Sequence, residues 1–393
     1  MSQLGNAANF IAYAFMGIPA GMLLKRIGYK KTALAAIAVG IVGVGTQFFS
    51  GIVPENMAFA IYLTGAFVAG FSMCMLNTVV NPMLNTLGGG GKRGNQLIQF
   101  GGSLNSISAT IVPVFVGYLM GNVATATINK ANPALFIAIG IFALAFIVLY
   151  FMQIPEPAQE IEAQKESAEG VKDPHSAFSF RHFILGAVAI FLYVGVEVGI
   201  PNFVNLFLST PVDAVDSVPG LGYEAALAGS ICGTYWFLML IGRLFGGFLG
   251  AKFSSKAMLT FVSLLGLLFV LLAIFLPETI KVDMPVFQSD ISFGLAEVPI
   301  GIMFLILCGL CTSVMWGGIF NLAVEGLGKY TAMASGIFMV MVCGGGILPL
   351  IQGGVADLFG YMASYWVVFA ALIYMLYYAL IGCKNVNKNI PVD

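Results

Sequence analysis

The sequence predicts an all-α, polytopic membrane protein built as two helix bundles. Three observations carry that class. Of 393 residues, 59% are hydrophobic and only 9% are charged, and the mean hydropathy is +0.95, which leaves too little polar surface to cover a soluble globule of this size. The apolar residues gather in runs of roughly the 20 residues that a spanning helix needs. One acidic stretch separates these runs into two groups.

Eleven runs fall at 5–24, 32–53, 57–87, 95–121, 132–153, 182–208, 223–250, 256–277, 299–326, 331–358 and 362–383. The first ends at Lys25 and Arg26, just before Lys30 and Lys31. The third carries Asn77, Asn81 and Pro82 and closes on the turn Gly88 to Lys92; the fourth carries Gln99 and Asn105. The third, fourth and ninth are long for simple spans, so tilted or bent helices are expected. Pro155 to Arg181, with Glu156, Glu160, Glu162, Lys165, Glu166, Glu169, Lys172 and Asp173, reads as a solvated linker. The domain limits that follow are 1–154, 155–181 and 182–393.

The sixth run holds one carboxylate, Glu197, between Gly195 and Gly199 and ahead of Pro201, Asn202 and Asn205. The seventh holds Tyr235, Trp236 and Arg243, and the ninth holds Trp316 and ends at Glu325. In the tenth, Gly344 to Gly346 lacks the lysine of a phosphate loop and reads as close helix packing. Trp366, near the start of the last run, suits an interfacial aromatic belt.

Lysine and arginine sort to one set of loops: Lys25 to Lys31, Lys92 and Arg93, Lys165 to Arg181, Lys252 and Lys256, Lys329, and Lys384 with Lys388. Basic residues bias a loop to the cytoplasm, so the C-terminus is expected there. Glu55, Asp213, Asp216, Glu278, Asp283 and Asp290 mark the other face, where only Lys130 and Lys281 are basic. The odd number of runs then puts Met1 outside. Internal similarity bears on that parity. Gly21-Met-Leu-Leu-Lys-Arg-Ile-Gly-Tyr-Lys30 resembles Gly247-Phe-Leu-Gly-Ala-Lys-Phe-Ser-Ser-Lys256, Asn81 to Gly88 resembles Asn321 to Gly328, and Pro113 to Gly117 resembles Pro349 to Gly353. The first, third and fourth runs thus match the seventh, ninth and tenth, and a helix matching 182–208 is expected ahead of Met1.

Some functions are disfavoured. His175 and His182 sit in the linker and at a helix start, and no nucleophile–base set lies at mid-span, so an intramembrane enzyme is a poor reading. Cys308 and Cys311 have no second pair or nearby histidine and read as packing residues. No metal or organic cofactor and no nucleic-acid partner is implied.

Two six-helix halves, a cytoplasmic linker and a basic turn after each second helix resemble the major facilitator superfamily. Gly21 to Lys31 is similar to its Gly-x-x-x-Asp-Arg-x-Gly-Arg-Lys motif, with Lys25 at the aspartate and Tyr29 at the second arginine. With Asn77-Thr-Val-Val-Asn-Pro82, Gly242-Arg243, Gly318-Ile-Phe-Asn-Leu322 and Gly344-Gly-Gly-Ile-Leu-Pro349, the chain resembles the fucose:proton and glucose/galactose symporter family. That resemblance implies proton-coupled uptake of a neutral monosaccharide by alternating access, in a bacterial inner membrane, by a monomer whose coupling ion is a proton or sodium. Fucose members carry acids in the first helix and ahead of the fourth helix's Asn-Pro pair. Asn77 stands at the latter position and the former is absent, which leaves Glu197, at an amide position of the family, as the one carboxylate deep in a span.

An ionisable group at bilayer depth costs roughly 2.5–3.5 kcal/mol on insertion scales and marks a pathway or proton site. Glu197 is therefore the candidate for the coupling proton, against a structural carboxylate held by backbone or asparagine. Asn77 and Asn81, at i and i+4, share a helix face, and the resemblance implies substrate contact there. Amides can pair sugar hydroxyls without charge, which adds Asn105, preferred to Gln99, and Asn205, slightly preferred to Asn202. Helix–helix hydrogen bonds are the alternative for both. Trp316 stands at a family tyrosine and could stack on a pyranose face; Tyr235 is a second aromatic candidate. Lys25, Arg26, Arg243 and Glu325 are assigned to gating or structure, with an Arg243–Glu325 pair expected. A different solute, such as an organic anion or a drug, is the reading if Arg243 lines the cavity, and a truncated inactive remnant is a further one.

Overall fold

The computed structural model describes residues 3–89, 91–120, 132–154, 175–213, 218–288, 292–387 and 389–392. Most of the acidic linker lies outside the described residues, as do Lys130, Asp216, Asp290 and Lys388.

Helices dominate because a chain in hydrocarbon must satisfy its own backbone. They are α1 (Gln3–Ser50), α2 (Glu55–Leu87), α3 (Gly91–Met120), α4 (Asn132–Phe151), α5 (Arg181–Ser209), α6 (Ala225–Gly250), α7 (Ser255–Phe275), α8 (Ile300–Thr312), α9 (Met315–Val324), α10 (Thr331–Met341), α11 (Gly344–Phe359) and α12 (Tyr361–Tyr377). Among the described residues, nine helical stretches are long and apolar enough to cross a membrane. The first two expected runs share α1, where two helices meet at Gly28 with φ 79°, a left-handed conformation that a side chain resists. The Lys30 ammonium fixes that junction by donating to the carbonyls of Tyr150 at 2.9 Å and Met152 at 2.6 Å.

Two of the expected runs are interrupted. The ninth divides into α8 and α9 at Ser313 and Val314. Just before the break, hydroxyls fold back on their own helix, Thr312 to the Cys308 carbonyl at 3.1 Å and Ser313 to that of Leu310 at 2.6 Å, a bonding pattern that bends helices. The tenth divides into α10 and α11 at Val342 and Cys343. In α5, the carbonyls around Pro201 find neighbours: Tyr365 donates to Ile200 at 3.2 Å and Cys232 to Pro201 at 3.3 Å.

The stretch between α7 and α8 is more ordered than its acidic residues suggest. Strands β1 (Lys281–Phe287) and β2 (Phe293–Pro299) pair antiparallel. Met284, Val286, Ala296 and Val298 face the core while Lys281, Asp283 and Glu297 face out, the period of two that a half-buried strand shows. The hairpin lies along α6, where Phe287 stacks on Phe237 with centroids 5.0 Å apart and its N–H donates to the Thr234 hydroxyl at 2.9 Å.

Helices before residue 155 meet those after 174 along two seams. In one, α1 reaches α10 so closely that a Cβ on Gly17 would stand 2.6 Å from the Gly336 carbonyl. In the other, α3 meets α6, with Gly247 against Phe100. Lys92 crosses the second seam to the Lys252 carbonyl at 2.9 Å, so this seam begins at the end of the molecule where the basic turns lie.

Candidate functional site

The polar residues of six helices connect into one chain of contacts. On α5, Tyr193 and Glu197 are four residues apart and so share a face. Glu197 Oε1 accepts from Arg243 Nη2 of α6 at 3.1 Å, and both side chains are mostly buried, 15% and 11% exposed. The other guanidinium nitrogen, Nη1, leaves α6 for α3, donating to the Ser106 hydroxyl at 2.6 Å and the Gly102 carbonyl at 3.1 Å. Burying either charge alone would be costly, and pairing with extra hydrogen bonds is what makes it tolerable.

From Tyr193 the chain continues the other way. Its side chain is fully buried, and its ring lies 6.2 Å from that of Trp316 on α9. Trp316 Nε1 donates to Asn81 Oδ1 of α2 at 3.3 Å. Asn81 donates in turn to the Asn77 carbonyl at 2.9 Å, and Asn77 Nδ2 donates to the Tyr13 hydroxyl of α1 at 2.8 Å. The result is a set of amides, phenols and one indole on both sides of the seams, beside one balanced ion pair. Donors, acceptors and aromatic faces of this kind suit a neutral, hydroxyl-rich solute.

The residues named from the sequence are distributed as follows. Glu197, Asn77, Asn81, Trp316 and Arg243 come together. Tyr235 is fully buried next to them, its hydroxyl 2.9 Å from that of Thr312. Asn105 is exposed and Gln99 is buried, with Gln99 Nε2 donating across the second seam to the Val314 carbonyl at 3.0 Å. Asn202 is half-buried and Asn205 exposed. Lys25 and Arg26 lie beside the Gly28 junction, half-buried and exposed respectively. Trp366 is exposed and packs edge-on to Phe275.

The expected Arg243–Glu325 pair is corrected. Arg243 pairs with Glu197, because it lies seven residues, about 10 Å, inside the end of α6, at the depth of the one mostly buried carboxylate among the described residues. Glu325 follows the end of α9 with its side chain exposed, and its carbonyl accepts from His182 Nε2 at 3.0 Å.

Sequence reasoning passed over Tyr13, Tyr193 and Ser106. Tyr193 had a signal, its position one turn before Glu197. Tyr13 and Ser106 carried none, since their roles depend on which helix lies opposite.

A family model described as the Major Facilitator Superfamily matches residues 1–348. Among curated proteins, the chain is 29% identical over 381 residues to the glucose/galactose transporter of Brucella abortus biovar 1, covering 96% of this chain and 84% of that one. It is 27% identical to a putative glucose/galactose transporter of Helicobacter pylori, covering 96% and 86%. It is 23% identical to the L-fucose-proton symporter of Escherichia coli, covering 90% and 78%. Among solved structures, the E. coli fucose:proton symporter FucP in the outward conformation superposes with a TM-score of 0.74 at 20% identity, covering 96% and 89%. The proton:xylose symporter XylE bound to 6-bromo-6-deoxy-D-glucose follows with a TM-score of 0.68 at 15% identity, covering 97% and 87%.

Proposed function

This chain belongs to the major facilitator superfamily, a family of membrane transporters and not of enzymes, and from that premise we propose that it takes up a neutral monosaccharide together with a proton by alternating access. The observation that carries the proposal is the contact chain itself: neutral amides and aromatics at Asn77, Asn81 and Trp316 reach the Glu197–Arg243 pair by way of Tyr193, between the two groups of helices. The names of the relatives point the same way, to hexoses and deoxyhexoses.

Glu197 is the proposed proton carrier, and Asn77, Asn81, Asn105, Asn205, Asn202, Trp316 and Tyr235 the proposed sugar-facing set. The protein acts as a monomer in a bacterial inner membrane, in two bundles joined by the 155–181 linker, with the basic turns and the C-terminus on the cytoplasmic side. With both seams packed near the basic end, the conformation fits one open to the opposite face. Transport of an organic anion would want an unpaired cation in the site, and Arg243 already has its carboxylate.

Purified protein in liposomes, offered labelled glucose, galactose and fucose with the outside acidic, tests the reading. At least one sugar should accumulate against its gradient and stop doing so when a protonophore is added. Equal uptake with and without the proton gradient removes the coupling, and no uptake of any monosaccharide removes the substrate class.

A further inference from the structure

We propose that Arg243 is a latch that ties the charge of Glu197 to the closure of the seam between α3 and α6. This rests on the reading of Glu197 as the carrier of the coupling proton and adds how that proton would move the two halves.

The seam can be followed residue by residue. It starts at Lys92 and the Lys252 carbonyl, passes Gly250 against Asn95 and Gln96 and Gly247 against Phe100, and ends at Arg243 against Gly102 and Ser106. Of these contacts Arg243 is the innermost, at the floor of the site. Its two terminal nitrogens point to different halves: Nη2 binds Glu197 within its own half, and Nη1 binds the other half. A guanidinium is a rigid fork, so the direction of one nitrogen sets the direction of the other. An ionised Glu197 both balances the charge and aims the fork at α3.

A proton on Glu197 removes the balancing charge. Arg243 becomes an uncompensated cation in a buried place, which is strongly unfavourable, and the relief is water entering from the nearest side by parting α3 from α6. The titratable or charged groups that face Glu197 among the described residues are Arg243 and Tyr235 from α6 and Tyr193 from its own helix; no second acid among them stands by to take over the guanidinium. Opening toward the basic end then requires the proton. Loss of the proton on that side lets the latch form again and returns the transporter to the state seen here.

Spin labels on Arg93→Cys and Phe253→Cys, in a background freed of native cysteines, report the seam by their separation. The parent should show one short distance at pH 8 and at least a fivefold larger long-distance population at pH 5.5. Glu197→Gln should show that long-distance population at both pH values. Ser106→Ala, a milder change that deletes one hydroxyl, should raise it severalfold at pH 8 and keep the pH response. The latch is overturned if Glu197→Gln holds the short distance or keeps the parent's pH response, or if Ser106→Ala matches the parent at pH 8. Accumulation in liposomes separates the two levels. A Glu197→Gln protein that loses proton-driven accumulation but moves like the parent sinks the latch alone, whereas one that keeps accumulation sinks the proton reading and the latch with it.

Discussion

Trp316 and Asn81, 235 residues apart in the chain, are joined by a hydrogen bond of 3.3 Å from the indole nitrogen to the amide oxygen. The bond crosses between the two groups of helices at the level of the proposed sugar site. It holds the indole and the amide in one orientation beside that site.

Trp316→Phe keeps a ring and removes the donor. A hydrogen bond is worth about 1 kcal/mol net, so the half-saturating sugar concentration should rise roughly fivefold. Asn81→Ala should do the same. In the double variant the losses should not add, because both delete one bond. Strictly additive losses would show that the two residues act separately.

Arg243→Gln leaves Glu197 buried without its partner, which typically costs about 3–5 kcal/mol. Thermal unfolding in detergent should show that loss. Removing both charges in Glu197→Gln with Arg243→Gln should recover most of it. If the double variant is less stable than Arg243→Gln alone, the pair is not what holds these residues.

Glu197→Gln tests coupling without touching the fold class. Exchange of sugar across liposomes at equal concentrations should persist, while accumulation driven by an acidic exterior should fall to the level of no gradient. The pH dependence of uptake should flatten with it. Unchanged accumulation would remove Glu197 from the coupling role.

Gly336→Leu places a side chain where α10 meets Gly17 and Gly21 of α1. A Cβ at Gly336 would stand 2.5 Å from the Gly17 carbonyl oxygen and 2.9 Å from the Gly21 Cα. Overpacking costs roughly 1–3 kcal/mol, so the ratio of closed to open at this seam should drop by about five- to 150-fold. Helical content by circular dichroism should be unchanged while transport slows. Normal turnover would mean that this seam opens without repacking.

Thr234→Val strips the acceptor from the Phe287 N–H at the inner end of the hairpin. Losing a part-buried hydrogen bond costs about 1 kcal/mol, to be read as a lowered unfolding temperature. An unchanged temperature would detach the hairpin from the stability of α6.

Much of the architecture was legible in the sequence. Runs of apolar residues located the helices, and the basic stretch Lys25 to Lys31 marked the junction inside α1, although not that the kink would fall at Gly28. The hairpin was missed for a definite reason: Asp283 and Glu297 dominate its composition, and the alternation of Met284, Val286, Ala296 and Val298 is short and split between two strands. In the site, Glu197 and Arg243 each stood out as an expensive residue at depth. Their pairing did not, and the partner first expected for Arg243 was the wrong carboxylate.

The sequence by itself determined the class of protein, the sorting of charge to one end and the residues too costly to be idle, because those properties are sums along a single helix against the bilayer. Only the tertiary structure decided that Arg243 answers to Glu197 and Ser106, and that Trp316 and Tyr13 close on Asn81 and Asn77. Each of these contacts depends on which helices lie side by side and how each is turned about its axis. A linear pattern leaves that rotation open, and packing between helices distant in the chain fixes it.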